Sequence, residues 1–351
     1  MPAPTTNGVA VGGRPTIRDV AAEAAVSTKT VSRVLNGEPS VRPATARNVR
    51  DAIARLGFER NEAAANLRRR RKSTSLVGLV VGDLGSPGTA VLARGAEQVG
   101  REHGYYLLVA SSGSDAAIEA ELIRTFRAGR VDGLIVVPTG SDLSFLAEST
   151  AGAPVVFADR LPGNLRADSV VAADADGARQ AVEYLLARHH RRIGFLGGPA
   201  SLFSVAHRYR GYEQALAAAA VDLDPALVRL GLDDTAGALD AAAALLRLPD
   251  PATALFGADT GATIGALRAA AGRSDVAVIG FDDFQMAGLL DPPVTVVARD
   301  VEALGRTAAE LLLRRIGGDR RPVQRITLDT VLIPRASGEK TAGRSPATPD
   351  Q

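Results

Sequence analysis

The sequence predicts a small all-α helix-turn-helix domain followed by an α/β region built from two doubly wound parallel-sheet subdomains. Two patterns carry this prediction. Three short amphipathic segments lie within residues 16–58, and from Leu76 onward aliphatic runs alternate with helical stretches. Val/Ile/Leu strands separated by helices are typical of parallel sheets covered on both faces. The length of 351 residues also exceeds one average domain, which favours two or three globular units.

The three amphipathic segments predict three short helices. Thr16 is a suitable N-cap for the first, and Ser27 is a suitable N-cap for the second. Pro43 fits the first turn of the third helix, and Gly57 fits its end. Apolar residues recur at helical spacing in all three segments, so the helices should pack around a small common core.

The polar face of the second helix carries short hydroxyls and cations rather than the charged helix formers usual on solvated faces. Such a face suits phosphates and base edges. Its residues are Thr28, Lys29, Ser32, Arg33 and Asn36. Two short helices joined by a turn, the second polar in this way, predict a helix-turn-helix that binds a DNA major groove. A three-helix interaction bundle is the alternative.

The charge distribution favours the DNA-binding interpretation. Residues 1–72 hold 14 Lys and Arg against 6 Asp and Glu, a net of +8, whereas the remaining residues hold 27 against 33, a net of −6. A basic module on an acidic body indicates a polyanion contact confined to one end. A basic disordered arm is the alternative, but the strong periodicity of residues 16–58 argues against it.

Two sets of aliphatic strands predict the two α/β subdomains, with a cleft at the carboxyl ends of the strands. The first set is "LVGLVVG", "YYLLVAS", "GLIVVP" and "PVVFAD", and the second is "RIGFLGG", "LVRLG", "ALFGAD" and "VAVIGFDD". Polar residues at strand ends are candidate contacts for a small polar ligand, because carboxylates accept bonds from vicinal hydroxyls and guanidinium groups donate to oxygens. These candidates are Asp159, Arg160, Arg208, Asp282 and Asp283. Any single Asp among them could instead be a helix cap or a loop ion pair.

"TIRDVAAEAAVSTKTVSRVLNG", followed by "RPATARNVRDAIARLGFERNEAAANLR", resembles the DNA-binding end of the LacI/GalR family of bacterial transcription regulators. Ala25 departs from the usual glycine of the turn, and Arg42 departs from the usual small capping residue. The resemblance implies a transcriptional regulator, expected to be a repressor, that binds a pseudopalindromic operator as a homodimer. A small-molecule effector, usually a sugar or sugar derivative, would control it.

The resemblance also implies which residues contact DNA. In the family, the segment after the third helix folds on operator DNA and pairs with its dimer mate in the minor groove. Here that segment is rich in alanine, and Leu67 could insert between base steps; a solvated linker is the alternative for the unbound protein. The expected DNA contacts are Thr16, Ser27, Thr28, Lys29, Thr30, Ser32, Arg33, Asn36, Asn61, Ala64 and Leu67.

For the α/β region the resemblance implies a type I periplasmic-binding-protein fold. The family positions that match Asp159, Arg208 and Asp282 commonly contact the effector. "GSPGT" (residues 85–89) replaces the family's aromatic-bearing loop, and "ADT" (residues 258–260) replaces an Asn-Asp pair. An aromatic platform would then have to come from Phe203 or Phe281. The expected effector contacts are Ser86, Thr89, Asp159, Phe203, Ser204, Arg208, Phe281 and Asp282.

The domain boundaries follow from these assignments. The chain should cross between the two subdomains near Ala172, Ala298 and Ile326. The tail after the last subdomain lacks the leucine heptads of a tetramerising coiled coil. The expected order is a flexible tail (1–13), the helix-turn-helix domain (14–60), a hinge (61–74), an effector-binding and dimerisation domain (75–335) and a disordered tail (336–351). Within the effector domain, one subdomain takes residues 75–172 and 298–326, and the other takes 173–297 and 327–335.

The amino-acid composition and the absence of common catalytic motifs argue against several other functional classes. Without cysteine there is no thiolate catalysis, disulfide or cysteine-ligated metal, and neither a metal nor a cofactor is expected. No Walker-type phosphate loop or nucleophile-elbow motif is present, so the sequence does not predict an enzyme. A solute-binding protein for a small polar ligand is the alternative function. The basic module and the absence of an export-signal pattern favour a cytoplasmic regulator, and no apolar run predicts a membrane segment.

Overall fold

A computed structural model describes residues 15–35, 40–58, 74–129, 131–140, 142–146, 152–163 and 165–342. The chain divides into two compact units, Met1–Thr74 and Ser75–Gln351, called here the amino-terminal unit and the effector unit. The predicted tail 1–13 and the hinge residues 61–73 lie outside the described residues, and so does Asn36.

The amino-terminal unit contains the three predicted helices. They are α1 (Ile17–Glu23), α2 (Thr28–Leu35) and α3 (Pro43–Leu56). Their core consists of fully buried side chains from each helix, among them Val20, Val31 and Val49. Gly57 ends α3 with φ of +59°, a left-handed conformation that glycine adopts without steric cost.

In the effector unit, sheet A has six parallel strands. They are β1 (Leu76–Val81), β2 (Tyr106–Ser111), β3 (Gly133–Val136), β4 (Val155–Ala158), β5 (Ser169–Ala172) and β11 (Arg325–Leu328). Their order is β11-β5-β4-β3-β1-β2. Helices α4 (Pro87–Glu102) and α10 (Val301–Ile316) pack on one face of the sheet, and α5 (Ala116–Arg127) packs on the other. This three-layer body is the N-half.

Sheet B forms the second three-layer body, the C-half. Its strands are β6 (Ile193–Leu196), β7 (Val228–Arg229), β8 (Ala254–Gly257), β9 (Ala277–Phe281), β10 (Thr295–Arg299) and β12 (Thr330–Ile333), in the order β12-β10-β9-β8-β6-β7. Helices α6 (Asp174–Leu186) and α7 (Phe203–Ala218) cover one face; α8 (Thr235–Leu245) and α9 (Thr260–Ala269) cover the other. Short 3-10 helices occupy Ser144–Leu146, Pro225–Leu227 and Ala336–Gly338. Among the described residues, none of the helices combines the length and apolar character that a membrane crossing needs.

The chain passes between the halves three times. The first passage follows β5, which ends at Ala172, and the second follows β10, which ends at Arg299. The third lies at Asp329 rather than near Ile326, because β11 continues to Leu328 before β12 begins.

The edge strand β12 is antiparallel to β10, so sheet B is not wholly parallel as predicted. Only Asp329 separates β11 from β12, and one residue leaves no room for the crossover helix that a parallel connection needs. The chain leaves the carboxyl edge of sheet A and enters sheet B at its carboxyl edge, so β12 runs against its neighbour.

The segment after β12 is packed against the C-half, so the predicted disordered tail begins too early at residue 336. Ser337 is buried, and its hydroxyl donates to the Val278 carbonyl oxygen at 2.6 Å. Further along, the Lys340 carbonyl oxygen lies 2.8 Å from His190 Nε2. These contacts hold residues 336–342 on the C-half.

Candidate DNA-contacting surface and effector cleft

Helix α2 exposes the polar face that the sequence predicts. Val31 points into the core and is fully buried, while Thr28 and Lys29 are exposed. Ser32 and Arg33 are half-buried. The exposed hydroxyl and ammonium groups can therefore reach phosphates or base edges without disturbing the core.

Three of the other predicted DNA contacts also have structural partners at helix starts. Ser27 Oγ accepts the Thr30 backbone N–H at 3.1 Å and lies 2.9 Å from the Thr30 hydroxyl, so this pair caps α2. The Asp19 carboxylate accepts both the backbone N–H and the hydroxyl of Thr16, at 2.7 and 2.6 Å. These bonds hold the pKa of Asp19 below its usual value. Ser27 thus caps α2 as predicted, and Thr16 occupies the N-cap position of α1, where the Asp19 side chain makes the bonds. The contact of Thr16 and Ser27 with DNA stays a prediction.

The turn between α1 and α2 explains one departure from the family pattern. Ala25 has φ of +50°, a left-handed conformation that costs an L-residue with a Cβ roughly 1–2 kcal/mol. Asn48 from α3 donates to the Ala24 carbonyl oxygen at 2.9 Å and supports the turn. The second departure, Arg42, precedes α3 and makes no side-chain cap bond. The turn therefore forms with alanine, supported by a contact from α3.

The effector unit places two aspartates in equivalent positions on its two sheets. Asp159 directly follows β4 of sheet A, and Asp282 directly follows β9 of sheet B. Both have left-handed backbones, with φ of +67° and +74°. Non-glycine residues held in this region are strained, and such strain concentrates at binding sites.

Arg299 joins the two aspartates. Its Nε donates to Asp282 Oδ1 at 2.6 Å, and its Nη1 donates to Asp159 Oδ1. Arg299 ends β10 of sheet B, so this Arg299 bridge (Asp159, Arg299 and Asp282) spans the two halves. Arg299 is not among the residues predicted from sequence, because "TVVAR" was predicted to hold a chain crossing and not a strand. A cation at the carboxyl end of an aliphatic run was the available signal.

Arg208 is placed differently from the prediction. Only 3% of its side chain is exposed. Its guanidinium donates to Asp174 Oδ1 at 2.8–2.9 Å and to the Ala258 carbonyl oxygen at 2.6 Å, and its Nη1 lies 3.5 Å from Asp282 Oδ2. The Phe281 ring lies beneath it, 3.7 Å from Cζ to the ring centroid. Arg208 is therefore a buried anchor for Asp282.

The proposal of Phe281 as an aromatic platform is wrong, because its ring is fully buried and packs under Arg208. Phe203, the other candidate, is half-buried and lies 3.9 Å from the His207 ring, centroid to centroid. Phe203 begins α7, which follows β6, so it lies at the carboxyl edge of sheet B. Of the two candidate rings, only Phe203 retains surface for a ligand.

The remaining predicted ligand contacts differ in their exposure and in their bonding partners. Ser86 is exposed at the start of α4, Thr89 donates its hydroxyl to the Asp83 carbonyl oxygen at 2.8 Å, and Ser204 is buried. Arg160 lies beside the bridge, with Nε 4.0 Å from Asp159 Oδ2. Asp283 forms a two-point ion pair with Arg335 at 2.9 Å, which is the loop ion pair considered as its alternative.

The electrostatics of the bridge keep its carboxylates ionised. Burial alone would raise the pKa of Asp159 and Asp282, but Arg299 and neighbouring guanidinium groups hold both pKa values below their usual range. Burial raises the pKa of Asp174, since desolvation outweighs the attraction of Arg208. The site thus presents two charged carboxylates at the cleft and a third, deeper one beneath them.

Comparisons with known proteins agree with this architecture. Residues 16–61 match the family model described as bacterial regulatory proteins, lacI family, and residues 182–338 match a periplasmic binding protein-like domain. The HTH-type transcriptional regulator CelR of Thermobifida fusca is 37% identical over 342 residues, covering 93% of this chain and 98% of CelR. This chain belongs to the LacI family.

Two further relatives of this LacI-family protein are regulators. The HTH-type transcriptional repressor CytR of Escherichia coli (strain K12) is 31% identical, covering 92% of this chain and 96% of CytR. MalR of Streptomyces coelicolor, also named an HTH-type transcriptional regulator, is 32% identical over 93% of this chain and 97% of its own length. The relatives match both units and are regulators, so this LacI-family protein is a transcriptional regulator rather than an enzyme or a transport-associated solute-binding protein.

Solved structures give the same fold. A CelR–cellobiose complex aligns with a TM-score of 0.68 and 34% identity, covering 93% of this chain and 100% of the other. The lac repressor dimer bound to operator and the anti-inducer ONPF aligns with a TM-score of 0.80 and 26% identity, covering 93% and 99%. The type I periplasmic-binding-protein-like fold of the effector unit, with its two α/β halves, is thereby confirmed.

Proposed function

We propose that this LacI-family regulator binds a pseudopalindromic operator as a homodimer and acts as a repressor controlled by a sugar or sugar derivative in the effector cleft. Its place of action would be the cytoplasm, where operator DNA is. The exposed hydroxyl and cationic face of α2, supported by a buried core, is the observation that carries the DNA-binding part.

Three features support dimeric operator binding. The net charge of +8 within residues 1–72 suits the DNA backbone. The edge strand β2 exposes Tyr106 and Leu108, an apolar surface that a second copy would cover. The hinge residues Asn61, Ala64 and Leu67, which lie outside the described residues, would pair with the mate in the minor groove.

The test for DNA binding is selection from a random duplex library by the full chain, followed by anisotropy titration of the enriched duplex. We expect an inverted repeat to be enriched and its affinity to fall steeply with salt. Lys29→Ala should weaken binding to all duplexes alike, because a phosphate contact carries no sequence information. The matched control Arg210→Ala, an exposed cation on α7, should leave binding unchanged. Equal affinity for the enriched duplex and a scrambled one would contradict the proposal.

The pair of ionised, strand-end carboxylates in the cleft supports a hydroxyl-rich effector. Carboxylates accept bonds from vicinal hydroxyls of a sugar ring, and the half-buried Phe203 lies at the same edge of sheet B. Solved relatives carry cellobiose in one complex and ribose in another. Cellobiose and ribose are therefore the first probes.

A thermal-shift screen with calorimetry tests the effector part. A bound sugar should raise the melting temperature of the chain and change its affinity for the enriched duplex. Asp159→Asn should weaken sugar binding, whereas Asp240→Asn, an exposed carboxylate on α8, should not. Intact operator binding without a response to any sugar would contradict the effector class and leave the DNA-binding part standing.

A further inference from the structure

The Arg299 bridge joins the strand ends of the two halves through charges that are already paired. Arg299 reaches from sheet B to Asp159 of sheet A and to Asp282 of its own sheet, and its side chain is only 10% exposed. A ligand that enters between the strand ends therefore meets carboxylates that already have a cationic partner.

The charges around the bridge are equal in number. Three carboxylates face three guanidinium groups, each within 4.0 Å of an opposite partner: Asp159, Asp174 and Asp282 with Arg160, Arg208 and Arg299. Asp283 does not add to this set, because Arg335 pairs with it separately. A ligand with a net charge would place one unpaired charge among these groups, and an unpaired buried charge is strongly unfavourable.

Hydrogen-bonding capacity remains after these pairings. An ionised carboxylate offers about four lone-pair positions. Asp159 uses Oδ1 for Arg299, and its Oδ2 lies 4.0 Å from the nearest Arg160 nitrogen, beyond hydrogen-bond distance. Asp282 Oδ2 is 3.5 Å from Arg208 Nη1, which is a long contact. Both outer oxygens can accept bonds from neutral donors such as hydroxyls.

We propose that Arg299 is the specificity-determining residue of the effector cleft: it neutralises Asp159 and Asp282, so the cleft binds an uncharged, hydroxyl-rich ligand and rejects ligands that carry an acid or an amine. This inference rests on the proposed function, which assigns a sugar or sugar derivative to the cleft. If Arg299 were only structural, its loss would weaken all ligands alike. If it sets specificity, its loss changes the ratio of affinities between charged and uncharged ligands.

Calorimetry with three disaccharides of one linkage type tests the inference on the full chain. The probes are cellobiose, the anionic cellobionate, and the cationic β-1,4-linked glucosamine dimer. We expect the parent to bind cellobiose at least tenfold more tightly than either charged probe. Arg299→Gln should shift the ratio of affinities at least tenfold toward the cationic probe. Arg299→Lys should keep the parent's order, and Arg314→Gln, an exposed cation on α10, should behave as the parent does.

A second variant tests the same inference by removing a negative charge instead of a positive one. Asp159→Asn removes one carboxylate from the balanced set, so the ratio should shift toward cellobionate. This variant keeps the inference falsifiable if Arg299→Gln does not fold, as judged by its melting curve. A folded Arg299→Gln or Asp159→Asn protein that keeps the parent's ratios of affinities for the three probes would overturn the inference.

The parent's own order separates two kinds of failure. If the parent prefers a charged disaccharide to cellobiose, the charge rule is wrong, while a sugar-class effector stands. If it binds none of the three, and ribose also fails, the sugar effector of the proposed function is wrong and the inference is overturned with it. Operator binding is measured separately and is unaffected by either result.

Discussion

The two halves of the effector unit build the same feature and support it differently. Each half ends a buried strand with a left-handed aspartate on Arg299, and each aspartate has a second arginine beside it. In the C-half that arginine is Arg208, which is 3% exposed and held by Asp174, the Ala258 carbonyl oxygen and the Phe281 ring. In the N-half it is Arg160, which is 27% exposed and donates at 3.4 Å to the Pro138 carbonyl oxygen.

This difference indicates a division of labour. The C-half presents a preformed carboxylate on a buried ionic and aromatic base. The N-half presents one whose neighbouring cation is more exposed and is held by a single long hydrogen bond. A ligand would therefore dock on the C-half with little rearrangement and gain its remaining bonds as the N-half adjusts. Asp159 also bonds to Arg299 of the C-half, so a ligand that changes the position of Asp159 changes the contact between the two halves. In this way a ligand can bias the orientation of the N-half relative to the C-half.

The largest expected effect is the difference in stability loss between alanine variants of Arg208 and Arg160. Arg208→Ala should lower the unfolding free energy of the effector unit by about 3–5 kcal/mol, because it leaves Asp174 buried without its partner. Arg160→Ala should cost about 1 kcal/mol or less, since Arg160 is a partly exposed ion-pair partner. Urea unfolding, followed by circular dichroism, measures both.

The exposed Arg210→Ala on the same helix as Arg208 is the control and should leave unfolding unchanged. If Arg208→Ala and Arg160→Ala cost the same, the C-half is no more preformed than the N-half and the comparison fails.

A smaller difference in stability loss is expected between asparagine variants of Asp282 and Asp159. Asn tolerates the left-handed backbone, so Asp→Asn removes charge with little change in conformation. Asp282→Asn should cost about 2 kcal/mol, since it weakens bonds to two buried guanidinium groups. Asp159→Asn should cost roughly half as much, because Arg299 keeps Asp282. The same urea titration measures them, and a larger loss for Asp159→Asn would contradict the argument.

Much of the fold was predictable because most of its strands are runs of aliphatic residues that can be recognised in the sequence. The eight predicted strands are present, and each is an aliphatic run such as "LVGLVVG". The strands β5, β10, β11 and β12 were not predicted as strands. In β11 exposed and half-buried residues alternate, and the strand pairs with β5, which lies far away in sequence. Edge strands of this kind depend on pairing partners that no local pattern specifies.

The site was predictable only where it follows those strands. Asp159 and Asp282 were found because they end two recognisable aliphatic runs. Arg299 was missed together with its strand. The burial of Arg208 depends on Asp174, which lies 34 residues earlier, on another helix. No spacing rule in the sequence connects that pair, because helix packing brings them together.

The smallest expected effect is a pH dependence that arises in the C-half, where His190 anchors the carboxyl-terminal segment. His190 is fully buried; Nδ1 lies 3.0 Å from the Thr253 hydroxyl, and Nε2 lies 2.8 Å from the Lys340 carbonyl oxygen. Only a protonated Nε2 can donate to a carbonyl, so the neutral ring accepts from Thr253. Burial, with smaller contributions from Arg188 and His189, holds the pKa of His190 below its usual 6.5.

The folded state therefore prefers neutral His190, while the unfolded chain takes up a proton near pH 6.5. The contribution of His190 to stability is fully present above pH 6.5 and is lost as the pH falls below that value toward the lower folded pKa. Melting curves from pH 8 to pH 5 should show a fall that His190→Gln flattens, because glutamine can make both bonds without titrating. His103→Gln, at an exposed site in the N-half, should keep the parent's slope. If His190→Gln also keeps that slope, the pH dependence arises elsewhere, and the anchor does not distinguish the C-half from the N-half.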